Sequence, residues 1–192
     1  MIMGKHQLEE IEEQLESDDP TVRWNAIDKL AELNSEKLIP KLIELMKNDP
    51  HEDVRWNAAR ALGMMEAKQA VPSLLEVIKE SGDIKLRAMI VETLGKIRSE
   101  EAVPDLIKTM CEDEDPIVRS EAAEALGKIG SLKPVSDLIS KAQKDKFVHA
   151  RQKAVYALGE IAKKHGYVDI NEFLDKYGGP ATEIKPETRK KC

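Results

Sequence analysis

Apolar residues recur along most of this chain at the spacing of an amphipathic α-helix. Val54, Ala58 and Leu62, for example, stand four residues apart, which fits the period of a helix and not the two-residue period of a strand. A second kind of segment, such as residues 68–80, is amphipathic too and carries Pro72 in its first turn, where a helix tolerates proline. The pattern predicts a chain built from helices.

The helical pattern repeats at a fixed interval. An Arg recurs at constant spacing, as at Arg23 and Arg55, and a Leu follows each of these Arg residues by seven positions. A Gly follows that Leu in every copy but the first, which has Ala31. Asp-Pro dipeptides, as at Asp49-Pro50, separate the two segments of a copy, because Asp suits a helix cap and Pro suits a helix start. Each copy therefore predicts two helices joined by a short turn.

The five helix pairs are expected to form one α-solenoid. A single pair of this size cannot bury both of its apolar faces, so it must stack on its neighbours. We expect one domain over residues 1–179, with a short capping helix at 169–177, and a disordered tail at 180–192. The pairs are expected at residues 5–33, 36–65, 68–97, 100–129 and 132–164, with their second helices starting near residues 20, 52, 84, 116 and 147.

The repeat resembles a known family. The run Asp-Pro-Ile-Val-Arg-Ser-Glu-Ala-Ala-Glu-Ala-Leu-Gly-Lys-Ile at residues 115–129, preceded by Ala-Val-Pro-Asp-Leu-Ile at 102–107, is similar to the short HEAT repeat of the phycobilisome-lyase type, and the likeness covers roughly residues 5–164. The resemblance implies a right-handed superhelix of antiparallel helix pairs, with the Arg-bearing helix of each pair on the concave side. It also implies attachment of a bilin to a phycobiliprotein as one function to consider.

One stripe of each Arg-bearing helix varies from copy to copy, while the rest stays apolar. Trp24 and Trp56 occupy the same position on that stripe and are expected roughly 10 Å apart on one face. Aromatic and Met residues are enriched where proteins bind each other. Two alternatives remain: Trp24 closes the N-terminal end of the stack, and the charged residues of the last copies form a solvated face. The residues expected to bind a partner are Trp24, Asn25, Asp28, Trp56, Asn57, Arg60, Met64, Met89, Glu92, Glu121, Glu124, Lys153 and Tyr156.

The repeated Arg points into the stack and away from this stripe. An Arg buried at a helix start demands carboxylate or carbonyl partners, and the turn residues Asp19, Asp83 and Asp115 are candidates. The repeated Gly is expected where two helices pack closely. We expect an internal ladder between successive repeats, formed by Arg23, Arg55, Arg87, Arg119 and Arg151.

The charge distribution argues against nucleic acid as a partner. The net charge of −6 arises within residues 1–20, and residues 21–192 carry equal numbers of acidic and basic side chains, so there is no basic stripe for phosphate binding. No apolar run approaches the roughly 20 residues that cross a bilayer, and no export signal is recognised. The cysteines, Cys111 and Cys192, predict no disulfide framework, so we expect a cytoplasmic protein.

Catalytic chemistry is not predicted. The four His residues fall at unrelated phases of the repeat, and no phosphate loop, nucleophile elbow or HExxH helix is present. Cys111 is expected to be a small core residue. We therefore expect a protein that is not an enzyme, holds no metal or cofactor, and binds another protein or peptide on the concave face as a monomer or weak dimer. Bilin-lyase-like chromophore attachment and helical-repeat DNA binding or repair are the alternatives.

Overall fold

The fold is helical throughout the part of the chain that is described. A computed structural model of the protein describes residues 5–177, and no strand occurs in that range. The predicted all-α fold of HEAT-like helix pairs is confirmed, with helix ends within a few residues of those predicted. The α-helices of residues 5–177 are α1 (Lys5–Leu15), α2 (Pro20–Leu33), α3 (Ile39–Asn48), α4 (Glu52–Met64), α5 (Val71–Glu80), α6 (Ile84–Ile97), α7 (Val103–Glu112), α8 (Pro116–Ile129), α9 (Val135–Lys144), α10 (Val148–Lys164) and α11 (Ile170–Tyr177).

The chain divides into two compact units, Met1–Ile97 and Arg98–Cys192. In the described part of the first unit, α4 packs against both α2 and α6, and α1, α3 and α5 each pack on the helix that follows. In the second unit, α8 packs against α10, α7 and α9 each pack on the helix that follows, and α11 packs on α10. A single domain over residues 1–179 stays a prediction, and the predicted tail at 180–192 lies outside the described residues.

Four first helices of the pairs, α3, α5, α7 and α9, begin three residues later than predicted. Short 3₁₀ turns precede α3, α5 and α7, and each α-helix then begins at the residue before a proline. Proline has no N–H to donate to the helix. The N–H groups of the residues before it bond to nearby carbonyls instead, as in the 2.9 Å bond from the Ala70 N–H to the Ala67 carbonyl. The 3₁₀ turns are Glu36–Leu38, Lys68–Ala70 and Glu100–Ala102.

Close contacts at two glycines set the helix spacing within each unit. A Cβ on Gly63 of α4 would lie 2.9 Å from Thr93 Oγ1 in α6, and a Cβ on Gly127 of α8 would lie 2.8 Å from the Cα of Ala157 in α10. A side chain at either position would push the helices apart. This explains why glycine stands there although it costs about 1 kcal/mol in a helix interior. The Thr93 hydroxyl also donates to the Ala59 carbonyl at 2.9 Å.

Candidate functional site

Three of the repeated arginines, Arg23, Arg55 and Arg119, link their own turn to the turn of the next helix pair. The Arg23 guanidinium donates from Nε to Asp49 Oδ2 at 2.7 Å and from Nη2 to Asp49 Oδ1 at 2.8 Å. Its Nη1 donates to the carbonyl of Ser17 at 2.7 Å. Burial alone would raise the pKa of Asp49, but hydrogen bonds from Arg23 and from the His51 N–H bring that pKa below its ordinary value. This pair is almost wholly withdrawn from water, with side-chain exposures of 8% and 2%.

The other arginines repeat the carbonyl contact but vary in the carboxylate. Arg55 lies 3.8 Å from Asp83, and Arg119 lies 3.3 Å from Asp145. Each Arg donates to the carbonyl six residues before it, and for Arg87 that acceptor is Ser81 at 2.9 Å. For Arg151 the acceptor is the Asp145 carbonyl, also at 2.9 Å. The arginines are therefore structural groups of the turns.

Two of the carboxylates predicted as partners of the arginines act differently. The Asp19 carboxylate accepts the Thr21 N–H at 2.8 Å, and the Asp115 carboxylate accepts the Ile117 N–H at 2.8 Å. Both therefore cap their own helices, which satisfies backbone N–H groups that have no partner within the helix. The carboxylate partners of Arg23 and Arg119 come from the turn of the next pair instead.

Trp24 and Trp56 form one stacked surface on α2 and α4. Their ring centroids lie 5.8 Å apart with an angle of 16° between the ring planes, and both side chains are partly exposed. The rings are closer than the distance expected from helix spacing, because the two side chains lean towards each other and share an aromatic contact. The pair thus presents one continuous indole surface, which we call the indole pair.

A polar network fixes the backbone next to the indole pair. Asn57 donates from Nδ2 to the Trp24 carbonyl at 3.2 Å and to Asp28 Oδ1 at 3.0 Å. Arg60 donates from Nε to Asn57 Oδ1 at 2.9 Å and from Nη2 to Asp28 Oδ1 at 2.5 Å. Asn57 is completely buried, so it positions its neighbours and has no surface with which to contact a partner, in contrast to its predicted place.

The methionines of the predicted site are separated by the fold. Met64 is 50% exposed and its Sδ accepts the Arg60 Nη1–H at 3.2 Å. Met89 in α6 is only 9% exposed, so it belongs to the core and not to the surface predicted for it. Asn25 is exposed on α2, and Glu92 on α6 pairs with Lys96 at 2.8 Å.

The predicted charged residues of the second unit largely neutralise one another. Glu124 pairs with Lys128 at 2.8 Å and also with Lys153 of the next pair. Burial alone would raise the pKa of Glu124, but the hydrogen bonds from these two lysines bring it below its ordinary value. Tyr156 is 54% exposed on the same helix as Lys153, and Glu121 is partly exposed. This face is a paired, solvated surface with one prominent aromatic ring.

A cleft of about 270 Å³ lies beside the indole pair and holds groups that the sequence pattern did not indicate. Glu52 and Asp53 come from the first turn of α4, Asp83 from the turn before α6, and Lys85 from the start of α6. Three carboxylates and one ammonium group therefore line the cleft, and one of the carboxylates, Asp83, also lies 3.8 Å from Arg55. These residues lie at helix starts and in a turn, so a wheel drawn for a single helix does not bring them together.

The described residues offer no evident site for metal chemistry. No group of three or more His, Cys, Asp or Glu side chains within residues 5–177 is arranged to hold a metal ion. Cys111 is exposed in the last turn of α7, so the prediction of a core cysteine is wrong. Partial burial of its sulfur and the nearby Asp137 carboxylate raise the pKa of the thiol, which reduces its nucleophilic thiolate form. Over the same residues, none of the helices has the length and apolar character needed to cross a membrane.

Comparison with known proteins identifies the repeat. The family model for HEAT repeats matches residues 8–83 and 71–159, which together span most of the chain. The chain belongs to the HEAT-repeat family. None of the curated proteins compared with this HEAT-repeat chain matches it. Among solved structures, a chain in the complex of CpcE and CpcF of phycocyanin lyase from Nostoc sp. PCC7120 is similar, with 24% identity and a TM-score of 0.67 over 86% of this chain and 68% of that chain.

These findings confirm the resemblance to HEAT repeats of the phycobilisome-lyase type and correct one prediction. The sequence predicted that the HEAT-repeat chain is not an enzyme, and that prediction is contradicted because a protein of similar fold forms part of a phycocyanin lyase. A lack of familiar catalytic motifs therefore does not establish a lack of catalysis. A helical-repeat fold places few constraints on function, which resides in particular surface groups.

Proposed function

We propose that this HEAT-repeat protein binds a segment of a partner protein at the indole pair and the adjacent cleft. The observation that carries the proposal is the stacking of two partly exposed indoles, 5.8 Å apart, in contact with a cleft of about 270 Å³. Tryptophan is enriched in the residues that dominate binding energy at protein interfaces. HEAT-repeat membership and the two-protein complex of the structural neighbour support partner binding in general.

The charge of the cleft favours a basic segment. Glu52 and Asp53 are exposed at its rim, and Asp83 lies beside them. An Arg or Lys side chain placed over an indole face gains a cation–π interaction, and nearby carboxylates add electrostatic attraction. The proposed partner segment therefore carries at least one Arg or Lys that inserts beside Trp24 or Trp56.

Selection from a random peptide display library tests this proposal directly. We expect the selected peptides to be enriched in Arg and Lys and to change the tryptophan fluorescence, since Trp24 and Trp56 are the two tryptophans of the chain. Charge reversal by Glu52→Lys with Asp53→Lys should weaken their binding at least tenfold. These two residues are exposed, so the variant is expected to fold normally.

The matched control is Tyr156→Ala, which removes an exposed aromatic ring from the second unit. It should leave peptide affinity unchanged, whereas Trp24→Ala with Trp56→Ala should abolish binding in a protein whose far-ultraviolet circular dichroism is unaltered. Selection of acidic or uncharged peptides, or binding that survives the loss of both indoles, would refute the proposal.

A second candidate is participation in a bilin lyase, and the structural neighbour is the observation that favours it. That neighbour is a complex of two proteins, CpcE and CpcF, of a phycocyanin lyase. Incubation of this chain with a bilin and a phycocyanin subunit, followed by absorbance of the denatured subunit, tests whether a covalent adduct forms. An adduct that requires the chain supports this candidate, and an equal yield without the chain counts against it.

A further inference from the structure

The last described helix of the second unit, α11, occupies the position of a first helix of a pair. Ile170 in α11 stands one repeat interval after Leu138 in α9, and Leu174 stands two intervals after Met110 in α7, so α11 occupies the position of a first helix of a sixth pair. It contacts α10, the second helix of the preceding pair. No second helix follows it within the described residues, and the sequence of 178–192 does not repeat the Arg, Leu and Gly positions of a second helix.

The surface on which such a helix would pack is open around Gly159. Gly63 faces Thr93 and Gly127 faces Ala157, both at less than 3 Å from an added Cβ, whereas a Cβ on Gly159 would meet nothing within 4 Å in the described part of the chain. A groove of about 580 Å³ lies there. It is lined by Gly159, Glu160, Ala162, Lys163, Gly166, Tyr167, Val168 and Ile170.

Arg151 lacks a contact that Arg23, Arg55 and Arg119 make. Each of those three lies within 4 Å of a carboxylate from the turn of the next pair, the closest being Arg23 with Asp49 at 2.7 Å. Within residues 98–177, Arg151 donates to the Asp145 carbonyl at 2.9 Å and has no carboxylate partner. Its partly exposed guanidinium stands on the same helix as Gly159.

We propose that a helix of another protein docks on this surface of α10 and α11. It packs a small residue on Gly159, as α10 packs Ala157 on Gly127, and it supplies an acidic residue near its start to Arg151, as Asp145 does for Arg119. The proposed contact continues, with a second chain, the helix interface that the unit already contains between α8 and α10. It is independent of the indole pair, which lies in the other unit.

A second copy of this chain does not suit the surface. The first pair has Lys29 at the position that Thr93 and Ala157 occupy in later pairs, and this lysine is exposed and donates to Gln14 at 3.1 Å. A lysine cannot approach a glycine as closely as an alanine or threonine does. Docking of the first pair of a second copy would also bring its first helix, α1, to the side of α10. That position is already occupied by α11.

A peptide copied from the chain provides the probe. The segment 145–164 contains Asp145 and Ala157, the residues that contact Arg119 and Gly127, at the spacing needed for Arg151 and Gly159. The peptide is labelled with a fluorophore and made helical by a lactam bridge between positions 152 and 156, which are both exposed in α10. Its binding to the full chain is measured by fluorescence anisotropy up to millimolar protein.

We expect saturable binding that Gly159→Leu weakens at least tenfold, because the added side chain occupies the space of the docking helix. The peptide variant Ala157→Leu should be weakened to the same degree with the wild-type protein. The Asp145→Asn peptide should bind the wild-type protein several-fold more weakly than the unchanged peptide does. Its affinity for the Arg151→Gln protein should be no lower than its affinity for the wild type. Since a Cβ added at Gly159 would meet nothing within 4 Å in the described residues, the Gly159→Leu protein should unfold at no lower temperature than the wild type, which separates lost binding from lost folding.

Three results would overturn this inference. The first is absence of binding at millimolar concentration, and the second is binding that Gly159→Leu leaves intact. The third is self-association in sedimentation velocity that Gly159→Leu removes, because the occupant would then be a second copy. All three leave the proposal for the indole pair untouched, since Trp24 and Trp56 do not take part in these contacts.

Discussion

Replacing Arg23 by Met should destabilise the first unit far more than replacing Arg55 by Met. Both side chains donate to a backbone carbonyl six residues earlier, at 2.7 and 2.8 Å, so this contribution is matched. They differ in the carboxylate. Arg23 binds Asp49 through two hydrogen bonds of 2.7 and 2.8 Å, whereas Arg55 lies 3.8 Å from Asp83 and both of those side chains are about one quarter exposed.

The expected loss of stability depends on which groups each substitution leaves without a partner. Arg23→Met leaves the Asp49 carboxylate, 2% exposed, without its cation, and breaking a buried ion pair in this way costs about 3–5 kcal/mol. Arg55→Met removes a looser pair and the hydrogen bonds of Arg55 to the Asp49 and Pro50 carbonyls, which together contribute about 1 kcal/mol. We therefore expect the first variant to lose about 2–4 kcal/mol more than the second.

Urea unfolding followed by tryptophan fluorescence measures this difference. Both tryptophans lie in the first unit, on the helices α2 and α4 that carry Arg23 and Arg55, so their emission reports on the affected region. Circular dichroism at 222 nm on the same samples shows whether the rest of the chain unfolds with it. Equal losses in the two variants would refute the idea that the Asp49 contact stabilises the unit.

The pH dependence of the Arg23 effect gives an independent check. Because the pKa of Asp49 is lowered in the folded chain, its contribution to stability is present above the unfolded pKa of about 3.9 and is lost as the pH falls through the folded value. In Arg23→Met the burial of Asp49 is no longer offset by the guanidinium, so its pKa rises. The gap in unfolding free energy between the wild type and this variant should thus be largest at neutral pH and shrink as the pH falls from the raised pKa of the variant to the lowered pKa of the wild type. A gap that stays constant to pH 3 would show that the charge of Asp49 is not involved.

Smaller changes at four positions probe the packing and the cap of α8. Gly127→Ala should lower the unfolding midpoint because its Cβ would lie 2.8 Å from Ala157, whereas Gly159→Ala, with nothing within 4 Å in the described residues, should raise stability by about 1 kcal/mol in thermal unfolding. Asp115→Ala should cost about 1 kcal/mol by removing the cap of α8, measured by urea titration, and Asp115→Asn should restore most of it. Thr93→Val should cost about 1 kcal/mol, since it deletes a buried hydrogen bond to α4; no change would show that water replaces it.

The sequence was sufficient for the helices because their signals are local and repeated. A recurrence in five copies averages out the errors of any one segment, and Asp-Pro at the turns marks helix starts by capping and by the fixed proline backbone. What it did not predict was the short 3₁₀ turn before α3, α5 and α7. That turn depends on how the backbone N–H groups ahead of a proline find acceptors, which apolar periodicity does not record.

The candidate site was less predictable because it depends on pairs of helices. A wheel for one helix placed Trp24 and Trp56 on the same face, but their stacking at 5.8 Å depends on how the two side chains lean between helices. The same wheel placed Asn57 on the free stripe, although the approach of α2 buries it completely under a carbonyl and Asp28. For a residue at the edge of a stripe, the neighbouring helix therefore decides whether the side chain is exposed or buried.

Some repeat positions are used for contacts between pairs and others are free to vary, and this difference explains where function can reside in this chain. Within each unit, Arg and Gly positions such as Arg23, Arg119, Gly63 and Gly127 take part in contacts between neighbouring pairs, so they are used for stability. The variable positions take no part in those contacts. The indole pair forms where two of them, one on α2 and one on α4, stack on each other. At the last described pair, Arg151 and Gly159 retain the residue types of a stacking interface without a described helix to stack on. The same two positions that only stabilise the earlier pairs thereby become the groups that select a partner at this one.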